Sequence, residues 1–192
     1  MRNNGSEKVI KIFKVRNNNL KNNVADGRGF TLIEVVVVVA IIGIIGITLV
    51  PGILNSLETR DLENSARDIL SAIQSAKFQA VKTKLNHRVR FSNDLGYWEI
   101  ILEREKTPSN WTIVPGYIRK SIPATFNTTI NLPADTYSVE ISPLGLVTNF
   151  SSTSNTIEIQ SDKLKAAGVE DQRILRIMGG GSIKYYKASS TG

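Results

Sequence analysis

Gly29-Phe30-Thr31-Leu32-Ile33-Glu34 leads directly into Val35–Val50, VVVVVAIIGIIGITLV, a run without a charged side chain. From Phe30 to Val50 the stretch is 21 residues long and holds one acid, Glu34. At about 1.5 Å per helical residue it spans the ~30 Å hydrocarbon core of a bilayer. The twelve Val, Ile and Leu residues of Val35–Val50 contribute roughly −4 to −7 kcal/mol on an insertion scale, where a carboxylate at mid-helix costs about +2.5 to +3.5 kcal/mol. Insertion is favoured, the more so because Glu34 stands near the end of the run. The run is too long for a strand, and a soluble helix this uniformly apolar would need burial on every side.

Charge supports a membrane reading over a nucleic-acid one. The chain has 192 residues, a formal net charge of +7 and a pI of about 9.7, which at first suggests a polyanionic partner. The charge is unevenly placed. Residues 1–29 carry Arg2, Lys8, Lys11, Lys14, Arg16, Lys21 and Arg28 against Glu7 and Asp26, a balance of +5 that leaves +2 for residues 30–192. A basic block ahead of an apolar run is an address and an orientation signal. It places the N-terminus in the cytoplasm and the remainder outside. An ordinary secretory signal would end in a small-residue cleavage site after the apolar region. Here Thr48-Leu49-Val50-Pro51-Gly52-Ile53-Leu54 follows, without that pattern, so the segment is expected to stay attached.

A glycine, a phenylalanine, a glutamate four residues further on and an unbroken apolar helix closely resemble the class III signal of type IV prepilins and type II secretion pseudopilins. Pro51 falls where many pilins have the proline that kinks this helix. The resemblance implies a leader cut between Gly29 and Phe30 by a prepilin peptidase, N-methylation of Phe30 by the associated methyltransferase, and a part for Glu34 and Pro51 in assembly. It also implies other pilins or pseudopilins, an inner-membrane assembly platform and membrane lipid as partners. Physical chemistry is consistent with each step. Gly29 lets the backbone enter a tight peptidase cleft. Basic residues hold the leader on the cytoplasmic side, against anionic lipid heads. Cleavage creates a positive amine, and an acid at membrane depth needs a partner, so the Phe30 amine of a neighbouring subunit is the natural one for Glu34.

Beyond Pro51-Gly52 the helical period resumes with Ile53, Leu54, Leu57, Leu62, Ala66, Ile69, Leu70, Ile73, Ala76, Ala80, Val81 and Leu85, while Glu58, Arg60, Glu63, Arg67, Asp68, Lys77 and Lys82 fall largely on other faces. One long kinked helix is expected from Phe30 to about Leu85. Its second half would lay an apolar stripe on a globular domain. After Asn86 come short alternating or β-branched runs, His87–Phe91, Tyr97–Leu102, Trp111–Val114, Tyr137–Ile141, Thr156–Gln160, Arg173–Met178 and Ser182–Tyr186, separated by Asn, Asp, Pro and Gly turns. The expected fold is α+β and pilin-like, a long N-terminal transmembrane and amphipathic α-helix packed on a C-terminal antiparallel β domain. The expected division is a cleaved leader at 1–29, a membrane helix at 30–50, its amphipathic continuation at 51–86 and a β-rich periplasmic or extracellular domain at 87–192.

Ile141-Ser142-Pro143-Leu144-Gly145 and the late run Ile174–Tyr186 with its Gly179-Gly180-Gly181 turn resemble segments of the minor pilin and pseudopilin family called GspH/FimT. That resemblance implies a minor subunit of a type II secretion pseudopilus or a type IV pilus, supporting protein secretion or pilus biogenesis. The alternative is a DNA-binding minor pilin for natural transformation. The near-neutral charge of residues 30–192 and the lack of any Arg after Arg176 count against nucleic acid.

No enzyme is expected. The chain lacks cysteine, and His87 is its one histidine, so no metal set or catalytic triad can be assembled. Gly179-Gly180-Gly181-Ser182 lacks the Lys-Ser/Thr ending of a phosphate loop and reads as a hairpin turn. No cofactor and no metal are expected. Trp98, Trp111, Tyr117, Tyr185 and Tyr186 read as packing residues. The triplets at Asn110, Asn127 and Asn149 read as loop hints.

Overall fold

The computed structural model describes residues 29–133 and 137–190, the side chain of Thr48 excepted. The basic leader read from the sequence lies outside the described residues, apart from Gly29. The chain divides into two compact units, Met1–Ile44 and Ile45–Gly192.

In the first unit the described residues are Gly29 to Ile44. From Leu32 onward they belong to helix α1 (Leu32–Thr83). A run of valines and isoleucines is a poor helix former in water. Inside a bilayer the helix lets one segment satisfy all its own backbone hydrogen bonds, and composition then favours it. The apolar side chains of this unit, Val35, Val36, Val37, Val38, Val39, Ile41, Ile42 and Ile44 among them, are exposed. By length and composition α1 is able to cross a membrane.

In the second unit α1 passes through Pro51 without ending, so the proline removes one hydrogen bond but does not stop the helix. The helix ends at Thr83, because Lys84 adopts φ 60, the left-handed conformation that turns a chain away from a helical path. Leu62, Ala66, Ile69, Ala72, Ile73, Ala76 and Ala80 are buried and keep the 3.6-residue period. The expected stripe is corrected at both ends. Ile53, Leu54 and Leu57 are more than half exposed, at 58%, 58% and 51%. The buried stripe therefore begins at Leu62. Val81 and Leu85, each 42% exposed, lie outside it as well.

That stripe packs on two antiparallel sheets. The first contains β1 (His87–Ser92), β2 (Glu99–Thr107), β3 (Asn110–Ile113), the two-residue β4 (Lys120–Ser121) and β6 (Ser138–Ile141), in the order β3-β2-β1-β6 with β4 beside β2. The second contains β5 (Asn127–Asn131), β7 (Thr156–Gln160), β8 (Gln172–Ile177) and β9 (Ile183–Ala188), in the order β5-β7-β8-β9. A one-turn helix, α2 (Asp162–Ala166), joins β7 to β8. Strand alternation sends one set of side chains inward. Val89 sits opposite Leu102, Phe91 opposite Ile100 and Leu175 opposite Tyr185. With Ile141, Ile157, Ile159 and Ile177 these residues form a single core against α1.

All seven strand-like runs of the sequence are strands. The reading missed β4, β5 and α2. In β5, Asn-Thr-Thr-Ile-Asn, only Ile130 is apolar, so no alternation marks it. The triplet at Asn127 accordingly lies in a strand, not a loop.

Candidate functional site

The segment that the sequence singles out is the first turn of α1. Thr31 is its N-cap. The Thr31 hydroxyl accepts the Glu34 backbone N–H at 3.2 Å, and the Val35 N–H bonds the Thr31 carbonyl at 3.2 Å. Thr-x-x-Glu is the spacing of a capping box. Glu34 therefore stands in the first turn, where a negative charge complements the positive end of the helix dipole. The sequence reading did not single out Thr31; the signal that marks it is a threonine three residues ahead of Glu34. Phe30, immediately ahead of the cap, is 82% exposed. A β-carbon on Gly29 would meet nothing within 4 Å. Nothing in the packing of the described residues calls for glycine there.

Four charged side chains of α1 hold the second half of the helix to the rest of the fold. Glu58 accepts the Ser161 hydroxyl at 2.9 Å and Lys163 Nζ at 3.1 Å. Ser161 in turn caps α2, its oxygen accepting the Leu164 N–H. Asp68 pairs with Lys120 of β4. Lys77 donates to the carbonyls of Gly180 and Gly181, at 3.4 and 3.3 Å. Glu63 is the centre of the largest cluster. It receives Arg173 Nε at 3.1 Å, the Tyr185 hydroxyl at 2.6 Å and Lys187 Nζ at 3.3 Å from the second sheet, and Arg67 Nε at 3.1 Å from its own helix. Burial alone would raise its carboxyl, but these donors outweigh burial and hold it at about 2. Burial and the bond to Glu63 push the Tyr185 hydroxyl up. From the sequence these residues fell on faces away from the stripe. In the fold Glu58, Glu63, Asp68 and Lys77 border it and are tied down.

The two glycine turns picked out by resemblance meet in space. The Gly145 N–H bonds the Ser142 carbonyl at 2.8 Å, closing the turn through Pro143 and Leu144 with Gly145 at φ +76. Gly181, at φ +72, lies against it. The Val147 N–H bonds the Gly179 carbonyl at 3.0 Å, and Ile141 bridges to Val147, so the turns link the two sheets. Nearby, the Asn149 carboxamide lies along the free edge of β6. Its oxygen accepts the Glu140 N–H at 2.9 Å and its nitrogen donates to the Ser138 carbonyl at 2.8 Å. The third Asn triplet thus has its amide engaged.

Asp171 is fully buried. It accepts the Ser190 N–H at 2.8 Å, the Ser190 hydroxyl at 2.6 Å and Gln160 Nε2 at 2.7 Å. Burial would raise this carboxyl too, and the same bonds hold it at about 2. Ser190, two residues past β9, is thereby pinned to the α2–β8 connection. His87 is buried, with Nδ1 3.0 Å from the Leu85 carbonyl. Burial pulls its pKa down. Among the described residues no group of three or more His, Cys, Asp or Glu side chains is placed to hold a metal. Trp98, Tyr117 and Tyr185 pack on the core, Trp111 lies 4.4 Å beneath the Arg88 guanidinium, and Tyr186 is partly exposed beside Arg176.

Residues 26–50 match the family model described as the prokaryotic N-terminal methylation motif. No curated protein matches the chain. Among solved structures the chain is similar to the minor pseudopilin EpsH from the type 2 secretion system of Vibrio cholerae, at 12% identity and a TM-score of 0.49, over 66% of this chain and 97% of that one. The methylation motif coincides with the Thr31 cap, Glu34 and the apolar start of α1, and by it the N-terminus of this chain is that of a type IV prepilin-like protein.

Proposed function

We propose that this chain is a minor pilin-like subunit, a structural protein that works by assembly and not by catalysis. It joins a type II secretion pseudopilus or a type IV pilus, in support of protein secretion or pilus biogenesis. The observation that carries this reading is the methylation motif at residues 26–50, which opens a helix apolar enough to cross a membrane. Prepilin peptidase cuts between Gly29 and Phe30, and the freed Phe30 amine is methylated. Gly29 suits this role because nothing within the described fold requires a glycine there. The helix then anchors the subunit in the inner membrane with its N-terminus in the cytoplasm and the β domain outside. Lipid covers the exposed Val and Ile side chains until other pilins or pseudopilins replace it, on an inner-membrane assembly platform. In that environment Glu34 pairs with the amine of a neighbouring subunit, and Pro51 lets the helix adapt where it leaves the apolar layer.

The test is Gly29→Ala in cells that contain a prepilin peptidase. The full-size precursor should accumulate, and mass spectrometry of the wild type should find N-methylphenylalanine at the new terminus. A variant of mature size, or a wild type that keeps residues 1–29, would overturn the proposal.

A further inference from the structure

The C-terminal end of α1 carries an apolar surface that its own fold leaves open. Phe78 and Val81 stand one turn apart on α1 and Leu85 lies just past its end, and they are 64%, 42% and 42% exposed. Leu144, 81% exposed, stands at the tip of the turn beside them. The turn lies close to the helix, since a β-carbon on Gly145 would stand 3.6 Å from Val81 Cγ2. Large apolar side chains grouped in this way mark interaction surfaces in soluble domains.

The surface is rimmed by cations. From Ile69 to Asn93 the chain has no acid, while it carries Lys77, Lys82, Lys84, Arg88 and Arg90. Arg88 and Arg90 are taken up by Glu103, and Lys77 by the carbonyls of the glycine turn. Among the described residues neither Lys82 nor Lys84 has a carboxylate within 4.0 Å. Lys82 instead lies 5.8 Å from the centre of the Phe78 ring. Glu105, the acid bonded to Asn86 at this end, also accepts the Ser109 N–H. Lysines near a helix C-terminus favour the dipole, but that does not account for the backbone conformation of Lys84. Lys84 occupies the left-handed conformation at φ 60, where glycine is the unstrained choice. A strained residue with a free charge points to use of the side chain.

We propose that Phe78, Val81, Leu85 and Leu144, with Lys82 and Lys84, form a docking surface for a segment of a partner protein that presents carboxylates beside an apolar side chain. The apolar group fills the space between Phe78 and Leu144, and the carboxylates answer the two lysines. This surface is separate from the N-terminal segment, and the proposal stands or falls independently of prepilin processing.

The full chain in mild detergent is titrated with three fluorescent probes, a short peptide of alternating glutamate and leucine pairs, polyglutamate of the same charge, and a DNA duplex of the same charge. The glutamate–leucine peptide should bind tightest. Phe78→Ser and the double variant Lys82→Glu/Lys84→Glu should each weaken it about ten-fold or more, while Lys82→Arg/Lys84→Arg keeps it. Lys84→Gly should raise the thermal midpoint and weaken the peptide together. Equal binding of polyglutamate, tighter binding of DNA, no binding of the peptide, or peptide affinity indifferent to Phe78→Ser would each overturn the proposal. So would a Lys84→Gly variant that gains stability with unchanged peptide affinity.

Discussion

The backbone of Gly181 lies so close to Gly145 that a β-carbon on Gly181 would stand 2.3 Å from the Gly145 carbonyl oxygen. The two residues are far apart in sequence and belong to turns of different sheets. Their contact lets the Lys77 side chain reach the Gly180 and Gly181 carbonyls and lets Val147 bond Gly179. It is one of the places where the two sheets become one body.

Gly181→Ala should therefore destabilise the domain by about 2–4 kcal/mol, from left-handed strain and from the displaced turn. Gly180→Ala should stay within about 0.5 kcal/mol, because a β-carbon there meets nothing within 4 Å. Thermal unfolding of the two variants checks the contrast. Equal losses would mean that the contact is not tight.

Glu63 makes stability depend on acid. Its carboxyl falls from an ordinary 4.5 to about 2 in the fold, so its contribution is complete above the ordinary value and is lost as pH falls through the native one. The linkage amounts to about 3 kcal/mol. Glu63→Gln should lower stability at neutral pH by about 3 kcal/mol, because Arg173, 1% exposed, is left without its carboxylate. As pH falls to about 2 the variant and the wild type should converge. Denaturant midpoints measured across this range decide it, and parallel curves for the two proteins would contradict the assignment. Asp171, also held at about 2, supplies the acid dependence that remains in the variant.

The start of the buried stripe can be located by truncation. Leu62→Ala should cost about 2–4 kcal/mol, as a fully buried leucine does. Ile53→Ala, at an exposed position, should leave the stability of the β domain within about 0.5 kcal/mol. A large loss at Ile53 would mean that the stripe reaches further toward the apolar segment than the fold places it.

Glu34→Ala should be processed and inserted like the wild type, yet enter filaments poorly, as judged by the sheared or membrane-complex fraction. Thr31→Ala removes the cap oxygen and should loosen the first turn by about 1 kcal/mol. Its effect on incorporation should be smaller than that of Glu34→Ala, since the carboxylate and its charge remain. If both variants are equally impaired, Glu34 acts through the cap and not through a neighbour's amine.

Much of this protein was legible without coordinates because the informative signals are local. The apolar run from Phe30 to Val50 and the Gly-Phe-x-x-x-Glu order involve only near neighbours in the chain, and the methylation motif at residues 26–50 coincides with them. Alternation marked most strands, since side-chain direction repeats every two residues whatever the partner strand. It failed at β5 and β4, where polar composition or two-residue length leaves no period to read.

Tertiary structure alone decided the rest. Glu63 looked like a solvated helix residue, and its partners Arg173, Tyr185 and Lys187 lie more than a hundred positions away, beyond the reach of any local pattern. Ile53, Leu54 and Leu57 continued the apolar period but are left exposed, because periodicity states which face is apolar and not how far the facing sheets extend. The approach of Gly145 to Gly181 has the same cause. Each turn requires its glycine locally for φ, and only the packing of two sheets on one helix brings the two glycines together.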